Sequence, residues 1–508
     1  MIRIIFYIIA QFFKWRKQTI LILLQNNNEL RAAGGFITHL AKIEIGKLWF
    51  KLSFLDVFID LKNSKKMAVP NQMRKLLKVR NLEFRDANYD PDFNNTAKTL
   101  VTIYNNLFPK EQVCILSAVN FSFIENSWKC LNPKKITNNL FHYLSTKVSN
   151  IDFHSIEELQ NRKNILRDLF KKLIKSAVFK FWLWPQLWRN MIYGFKSKQL
   201  QFWSKSQKLL RKLKKKKLIF DFIKLNQGNF LAVIDDNYLG LKTNRYLRRQ
   251  VFLDQKFESE DSVFNKLKIS LTNFGNGDYP LSGLYQSSLR IYLPKEASDI
   301  KILNKSVIFR ADEFENFKLV TLRLLIPVGL SRDLEIFYRD QVRIEDGFKY
   351  IKQSGVENEI FIHSVMAPDE FYINQGREQV MFNEYSVCKD VDIDYSFIEH
   401  KNSPRIYYHE LINTDTILVK FNESVSFNRS RKNNIKIIGK NEQKQPFEIK
   451  DHYFKDENKD LYIKVNDLPQ QEEEFYDLIL SSIQNQSGKG FSNDERKMTV
   501  VYRSQRFF

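Results

Sequence analysis

Residues Thr19–Leu40 read TILILLQNNNELRAAGGFITHL. Ile20, Leu21, Ile22, Leu23 and Leu24 form a short apolar run with the length and branching of a buried strand. The run ends in Gln25-Asn26-Asn27-Asn28-Glu29, followed by Arg31, the pair Gly34-Gly35 and a second apolar run. Two readings are open at this point. In an α/β sheet the loop beyond a strand's carboxyl end is where ligands bind, and a glycine pair lets a backbone turn tightly or approach a ligand. The other reading is a polar hairpin between two buried strands.

Working outward, Met1–Phe13 is apolar for only about ten residues before Lys14-Trp15-Arg16-Lys17. A helix of that length spans roughly 15 Å, about half a bilayer core. The segment has no small-residue cleavage site of a signal peptide. It reads either as the remnant of a membrane anchor or as an interfacial or core helix. Downstream, Ile43–Leu61 reads as strands around a Gly46-Lys47 turn, and Pro70–Val79 as a short basic helix. A polar loop, Phe84-Arg85-Asp86-Ala87-Asn88-Tyr89-Asp90-Pro91-Asp92-Phe93, precedes a helical pattern at Thr96–Leu107. A buried strand at 112–120 and a helix at 121–130 follow, and this alternation points to an α/β domain.

The chain has 508 residues, too many for one hydrophobic core, so several domains are expected. Its 43% hydrophobic content excludes a wholly disordered chain. The formal charge is +22, and it is concentrated: Arg162–Lys217 carries 18 Lys/Arg and one acid, Asp168. Cys114, Cys130 and Cys388 form no CxxC pair, and the seven histidines lack metal-like spacing.

The basic segment is also aromatic. Nine of the 25 residues from Phe179 to Trp203 are aromatic, including Trp182, Trp184 and Trp188. Basic residues interleaved with Trp and Phe suit a helix lying among lipid headgroups. A helical subdomain with an aromatic core and a solvated basic face is the alternative. Nucleic acid would also favour such charge, but no recognised binding motif is present. The segment Phe230–Phe252 reads strand, loop, strand, and places Lys242, Arg245, Arg248 and Arg249 near Asp235, Asp236 and Asn237. From about residue 250, short strand-like runs recur with turns between them, the pattern of a β-sandwich. Beyond Asp394–Pro404 a second β unit has a seven-strand rhythm.

Three motifs, QNNNELRAAGGFI, FRDANYDPDF and DDNYLGLKTNRYLRRQV, occur in this order. Together they resemble the bacterial cell-envelope family known as domain of unknown function 4012, over about residues 18–380. Departures are Ala33, Ala87 and Tyr89-Asp90, where that family prefers Thr, Ser and Trp-Ser. The end of the chain resembles a bacterial Ig-like domain of the S-layer type, on DTILVKFNESV (Asp415–Val425), Asp460–Leu468 and Phe475–Phe491. Both resemblances imply an extracytoplasmic, membrane-associated protein of the cell envelope.

The order of arginine-bearing motifs is also similar to that of LytR-CpsA-Psr phosphotransferases, which transfer glycopolymer from a polyprenyl-pyrophosphate carrier to the cell wall. That similarity implies a pyrophosphate clamp of Arg31, Arg85, Arg245 and Arg248, with Asp86 or Asp92 holding Mg²⁺. Asn28, Lys242, Arg249, Trp182, Trp184 and Trp188 would bind the substrate. Arginine suits pyrophosphate because its fork binds phosphate oxygens bidentately. The alternative is that these Arg and Asp residues pair with one another and tie loops together. The expected architecture is a short N-terminal segment (1–17) and a three-layer α/β domain (18–250) with a helical insertion (155–217). A β-sandwich (251–395) and an Ig-like domain (396–508) follow. The expected function is handling or transfer of polyprenyl-linked glycopolymer at the membrane surface. A non-catalytic surface protein that binds or presents envelope polymer is the alternative, and neither reading involves nucleic acid.

Overall fold

Strand β1 (Gln18–Arg31) runs straight through the polar cluster instead of stopping before it. It pairs antiparallel with β2 (Gly34–Gly46), from Gln18 opposite Ile45 to Arg31 opposite Gly34, so the stretch is a hairpin. The register shifts at Leu24/Gln25 and between Asn26 and Leu30, where the bulged polar residues bend the strand. The glycine pair serves this close approach of two backbones. Gly34 has φ +122°, and a Cβ on Gly35 would lie 2.1 Å from the carbonyl carbon of Asn26.

The computed structural model describes most of residues 17–131, 168–216 and 228–502, with short gaps, together with 219 and 222. The apolar start at Met1–Phe13, the basic helix expected at Pro70–Val79 and the beginning of the insertion at 155–167 lie outside the described residues. The described chain is mostly β. Strand β3 (Trp49–Asp56) adds to β2, after which a two-residue pair forms between β4 (Met67–Ala68) and β5 (Asn81–Leu82). Helix α1 (Phe93–Leu107) leads to β6 (Val113–Asn120), helix α2 (Phe121–Leu131) follows, and helix α3 (Trp184–Lys196) leads to β7 (Leu200–Ser204). The first sheet has the order β3-β2-β1-β6-β7. Only its β1–β6 pair is parallel. Strand–helix alternation therefore reaches the sheet through one crossover, and the helical insertion contributes an edge strand, β7.

Asp92 caps α1, its Oδ1 accepting from the N–H of Asn94 at 2.8 Å. The helix then buries Ala97, Leu100, Ile103 and Tyr104 at helical spacing. Helix α4 (Gln207–Lys214) buries Leu209, Leu210 and Leu213 and turns its basic residues outward.

A sandwich follows. Its strands are β8 (Asn229–Asn237), β9 (Leu247–Phe257), β10 (Ser262–Asn273), β11 (Tyr285–Leu293), β12 (Ser298–Ile302), β13 (Phe309–Glu313), β14 (Lys318–Ile326) and β15 (Ser331–Gln341). They continue with β16 (Phe348–Ile351), β17 (Glu359–Met366), β18 (Phe371–Ile373), β19 (Val380–Ser386) and β20 (Val391–Ile393). One sheet has the order β12-β15-β10-β9-β17-β19, the other β13-β14-β11-β8-β16-β20. Leu231, Val233, Leu289 and Ile291 of the second sheet meet Val251, Leu253, Leu267 and Ile269 of the first in one core.

The sandwich begins at β8, ahead of the boundary at 250 expected from sequence. Strand β8 is buried at every position because both of its faces are covered. Leu231 and Val233 point into the sandwich, while Ala232 and Ile234 pack with Ala32 at the hairpin end. A strand covered on both faces reads as a continuous buried run, as in the interior of an α/β sheet.

The final unit has two four-stranded sheets around its own core of Ile417, Val419, Phe421, Ile437, Leu461, Ile463 and Leu478. Among the described residues, no helix is long and apolar enough to cross a membrane.

Candidate functional site

The polar end of the hairpin meets the sandwich along a seam, and a four-residue strap, Lys352-Gln353-Ser354-Gly355, runs between them. Gln353 Nε2 donates to the carbonyls of Arg31 (3.1 Å) and Asp235 (2.7 Å), and its Oε1 accepts from Asp235 N–H at 2.9 Å. Ser354 makes a parallel bridge to Ala33. Asn27 Nδ2 donates to Gly355 O at 3.0 Å and to Ser122 Oγ at 2.7 Å. Lys352 is fully buried, and its Nζ donates to the carbonyls of Ser197, Gln353 and Val356. Burial pulls its pKa down to about 8.

The buried charges at the seam are paired within the protein. Arg31 donates to the carbonyls of Asn237 and Leu30, and its other terminal nitrogen lies 3.8 Å from Asp86. Arg85 lies 2.8 Å from Glu83 and 3.5 Å from Asp86. Arg249 is joined to Glu359, and Arg290 to Asp236 at 2.5 Å. Asp235 accepts from the hydroxyls of Tyr285 and Ser287. Burial raises the pKa of both Asp235 and Asp236, with Arg249 and Arg290 respectively acting against it.

The residues expected to form one clamp therefore fall in three places. Arg31, Arg85 and Asp86 form one contiguous cluster that pairs with itself. Arg245, with Asn28 and Arg249, lines a cavity of about 350 Å³ on the sandwich side of the hairpin. Arg248 is exposed, since alternation along β9 turns it away from the face that buries Leu247 and Arg249. None of Arg31, Arg85, Asp86, Arg248 or Lys242 is among the described residues lining that cavity. Lys242 is half-buried and begins the Thr243–Tyr246 turn, its carbonyl accepting from Arg245 N–H at 3.3 Å.

The carboxylates expected to hold Mg²⁺ do not fit that task. Asp86 is held between two arginines, while Asp92 accepts from the N–H groups of Asn94, Asn95 and Phe222. Among the described residues, no three His, Cys, Asp or Glu side chains gather as a metal site.

Residues 16–133 match the family model DUF4012, described as a protein of unknown function. The DUF4012 match covers the hairpin, α1, β6 and α2, and so includes Asn28, Arg31, Arg85, Asp86 and Asp92. No curated protein sequence matches the chain. Among solved structures, a candidate nutrient-binding protein from Legionella pneumophila aligns at 8% identity and TM-score 0.22, covering 29% of this chain and 66% of its own. An M1 zinc metallopeptidase from Deinococcus radiodurans aligns at 12% identity and TM-score 0.19, covering 35% of this chain and 47% of its own. The chain thus spans less than two thirds of the first and less than half of the second. At these scores neither likeness bears on fold or function.

The tryptophans lie apart from all of these places. Phe179, Trp182 and Trp184 are 67%, 60% and 58% exposed, whereas Trp188 is half-buried and α3 turns inward only at Gly194 and Phe195. Lys171, Lys172, Lys175 and Arg189 are exposed on the same stretch of chain, with Lys175 Nζ 5.9 Å from the Phe179 ring centre. Sequence reasoning missed the contribution of α2 and of residues 355–358 to the cavity. The available signal was the spacing of Ser122, Glu125, Asn126 and Lys129, which puts four polar groups on one helical face.

Proposed function

We propose that this chain is a non-catalytic cell-envelope protein. In this reading it rests on anionic lipid headgroups through its aromatic, basic edge and binds or presents glycopolymer with its β units. The observation that carries the proposal is the exposure of Phe179, Trp182 and Trp184 beside a row of cations. Large exposed aromatics rimmed by charge mark an interaction surface, and Lys or Arg near an anionic leaflet contributes about 1 kcal/mol each. The engagement of Arg31, Arg85, Arg249 and Arg290 with protein partners favours cross-bracing over a pyrophosphate clamp. The first mixed sheet then serves as a platform related in outline to the α/β domain of LytR-CpsA-Psr enzymes, and the final two-sheet unit as an Ig-like spacer.

The test is co-sedimentation of the full chain with phosphatidylglycerol vesicles and with phosphatidylcholine vesicles, at low and high salt. The expected result is salt-sensitive binding to the anionic vesicles only, lost in Trp182→Ser/Trp184→Ser and in Lys171→Glu/Lys172→Glu/Lys175→Glu. Unchanged binding by both variants would overturn the lipid contact. Polyprenyl pyrophosphate binding that disappears in Arg85→Ala would overturn the non-catalytic reading.

A further inference from the structure

The cavity at the seam is a separate feature from the membrane-facing edge. Its walls are the polar end of β1, one face of α2, the Thr243–Tyr246 turn and residues 355–358. We infer that it is a binding site for a small, electrically neutral ligand bearing hydroxyl and amide groups, roughly one or two sugar rings in size. Asn28, Asn126 and Asn358 are its recognition residues. The inference names a recognition site for the polymer of the preceding reading, and it stands without the lipid contact.

The lining chemistry decides the ligand class. Asn27, Asn28, Asn126, Asn244 and Asn358 all line the cavity. A carboxamide offers both donors and an acceptor, which matches the mixed demand of a sugar hydroxyl or an acetamido group. The charges balance: Lys129, Arg245 and Arg249 face Glu125, Glu357 and Asp235. Two of the cations already have acidic partners, Lys129 at 3.6 Å from Glu125 and Arg249 on Glu359. A pyrophosphate entering here would meet three carboxyl groups without a surplus of cations. Among the described residues the apolar lining is Leu30, Leu247 and Val356, without an aromatic ring, a poor match for a prenyl tail.

The walls are also fixed before a ligand arrives. Asn27 both donates to Ser122 Oγ and accepts from Ser122 N–H at 3.2 Å, locking β1 to the start of α2. Asn244 Oδ1 accepts from Leu30 N–H at 3.0 Å and from Asn237 Nδ2 at 2.8 Å, while its Nδ2 donates to Tyr285 Oη at 2.9 Å. These two asparagines hold the frame. Asn126 stands one helical turn beyond Ser122, on the same face of α2, and Asn358 faces it from the chain leading into β17. Rigid walls of this kind lower the ordering cost of binding a small polar ligand.

The experiment is calorimetry and saturation-transfer NMR on the full chain with the disaccharide of N-acetylglucosamine, with maltose, and with inorganic pyrophosphate. The expected result is saturable binding of at least one sugar and none of pyrophosphate. Asn126→Ala and Asn358→Ala should each weaken sugar binding about tenfold, the equivalent of one lost hydrogen bond, with an unchanged melting temperature. Asn358→Asp, on an exposed residue, gives a variant whose folding is secure. No saturation by either sugar, undiminished affinity in all three variants, or pyrophosphate that competes with sugar would each overturn the inference. Vesicle binding that persists in the Asn variants separates failure here from failure of the lipid contact.

Discussion

Arg248 and Arg249 are neighbours on one strand, and truncating each should have very unequal consequences. Arg249 is 3% exposed and Glu359, its partner on the adjacent parallel strand, is 2% exposed. Arg249→Ala takes the guanidinium away from the buried Glu359 carboxylate and removes one of the donors to Gln353, whose Oε1 lies 3.2 Å from Arg249 and also accepts from Asp235 N–H. Breaking a buried pair in this way costs about 3–5 kcal/mol. For a unit of the sandwich's size, each kcal/mol shifts the melting temperature by about 2–4 °C, so the expected loss is about 6–20 °C. Arg248→Ala, on the solvent side, should stay within about 0.5 kcal/mol of the parent. Arg249→Met combined with Glu359→Leu should recover most of the loss, because a buried pair replaced by apolar groups of similar volume is often neutral. Differential scanning calorimetry of the full chain, with hydrogen exchange in β9 and β17, reads all three variants. Equal shifts for Arg248→Ala and Arg249→Ala would refute this account, as would a double variant no better than the single one.

Two buried groups should pull the pH dependence of stability in opposite directions. Burial lifts Asp340 from 3.8 to about 7, so the native state keeps a proton that the unfolded chain gives up, and stability falls as pH rises from about 4 to about 7. Burial pulls His363 from 6.5 to about 3, so the unfolded chain takes a proton the native state refuses, and stability falls as pH drops from 6.5 toward 3. Urea titrations from pH 4 to 6.5 should show stability rising with pH in Asp340→Asn and falling with pH in His363→Gln; identical slopes in both variants would exclude this. Lys352→Met should strand the carbonyls of Ser197, Gln353 and Val356 at about 1–3 kcal/mol for each left unsatisfied, visible as early exchange of the strap amides. Gly35→Ala should cost at least about 1–3 kcal/mol, since the new methyl meets the backbone of Asn26 and Asn27 and no flexible side chain that could give way, and near-wild-type stability would show that the hairpin can spread.

Much of the fold could be read from side-chain alternation. The KLKISLTNF run lies in β10, where inward and outward residues alternate without a break, and that pattern belongs to a sandwich strand with one wet face. Alternation failed where both faces of a strand are covered. Asp235, Asp236 and Asn237 read as the polar end of a strand and do end one, but nothing in the pattern shows that the strand is buried on both faces, with Asp235 turned to Tyr285 and Ser287 and Asp236 to Arg290. The asparagines of β1 misled, because polarity suggested a loop where the seam supplies Asn27 with partners in Ser122 and Gly355 and the Leu30 N–H with an acceptor in Asn244. Little of the cavity's lining was legible. Asn28, Arg245 and Arg249 were candidates from their motifs, and all three line the cavity. Their companions on α2 and at 356–358 come from segments far apart in sequence, and only the strand pairing of the whole chain brings them to one place.

The strap also sets a timetable. Its bonds to the hairpin join groups 322 and 328 residues apart in sequence, Gln353 to Arg31 and Gly355 to Asn27. At a synthesis rate of about 5–20 residues per second, the hairpin emerges roughly 15–65 s before the residues that will cover it. Through that interval Gln25, Asn26, Asn27, Asn28 and Arg31 can hydrogen-bond to water, where apolar residues in the same places would present a sticky sheet edge to other nascent chains. The composition that makes this stretch resemble a loop is therefore suited to a strand that must wait, wet and unpartnered, for the far end of its own chain.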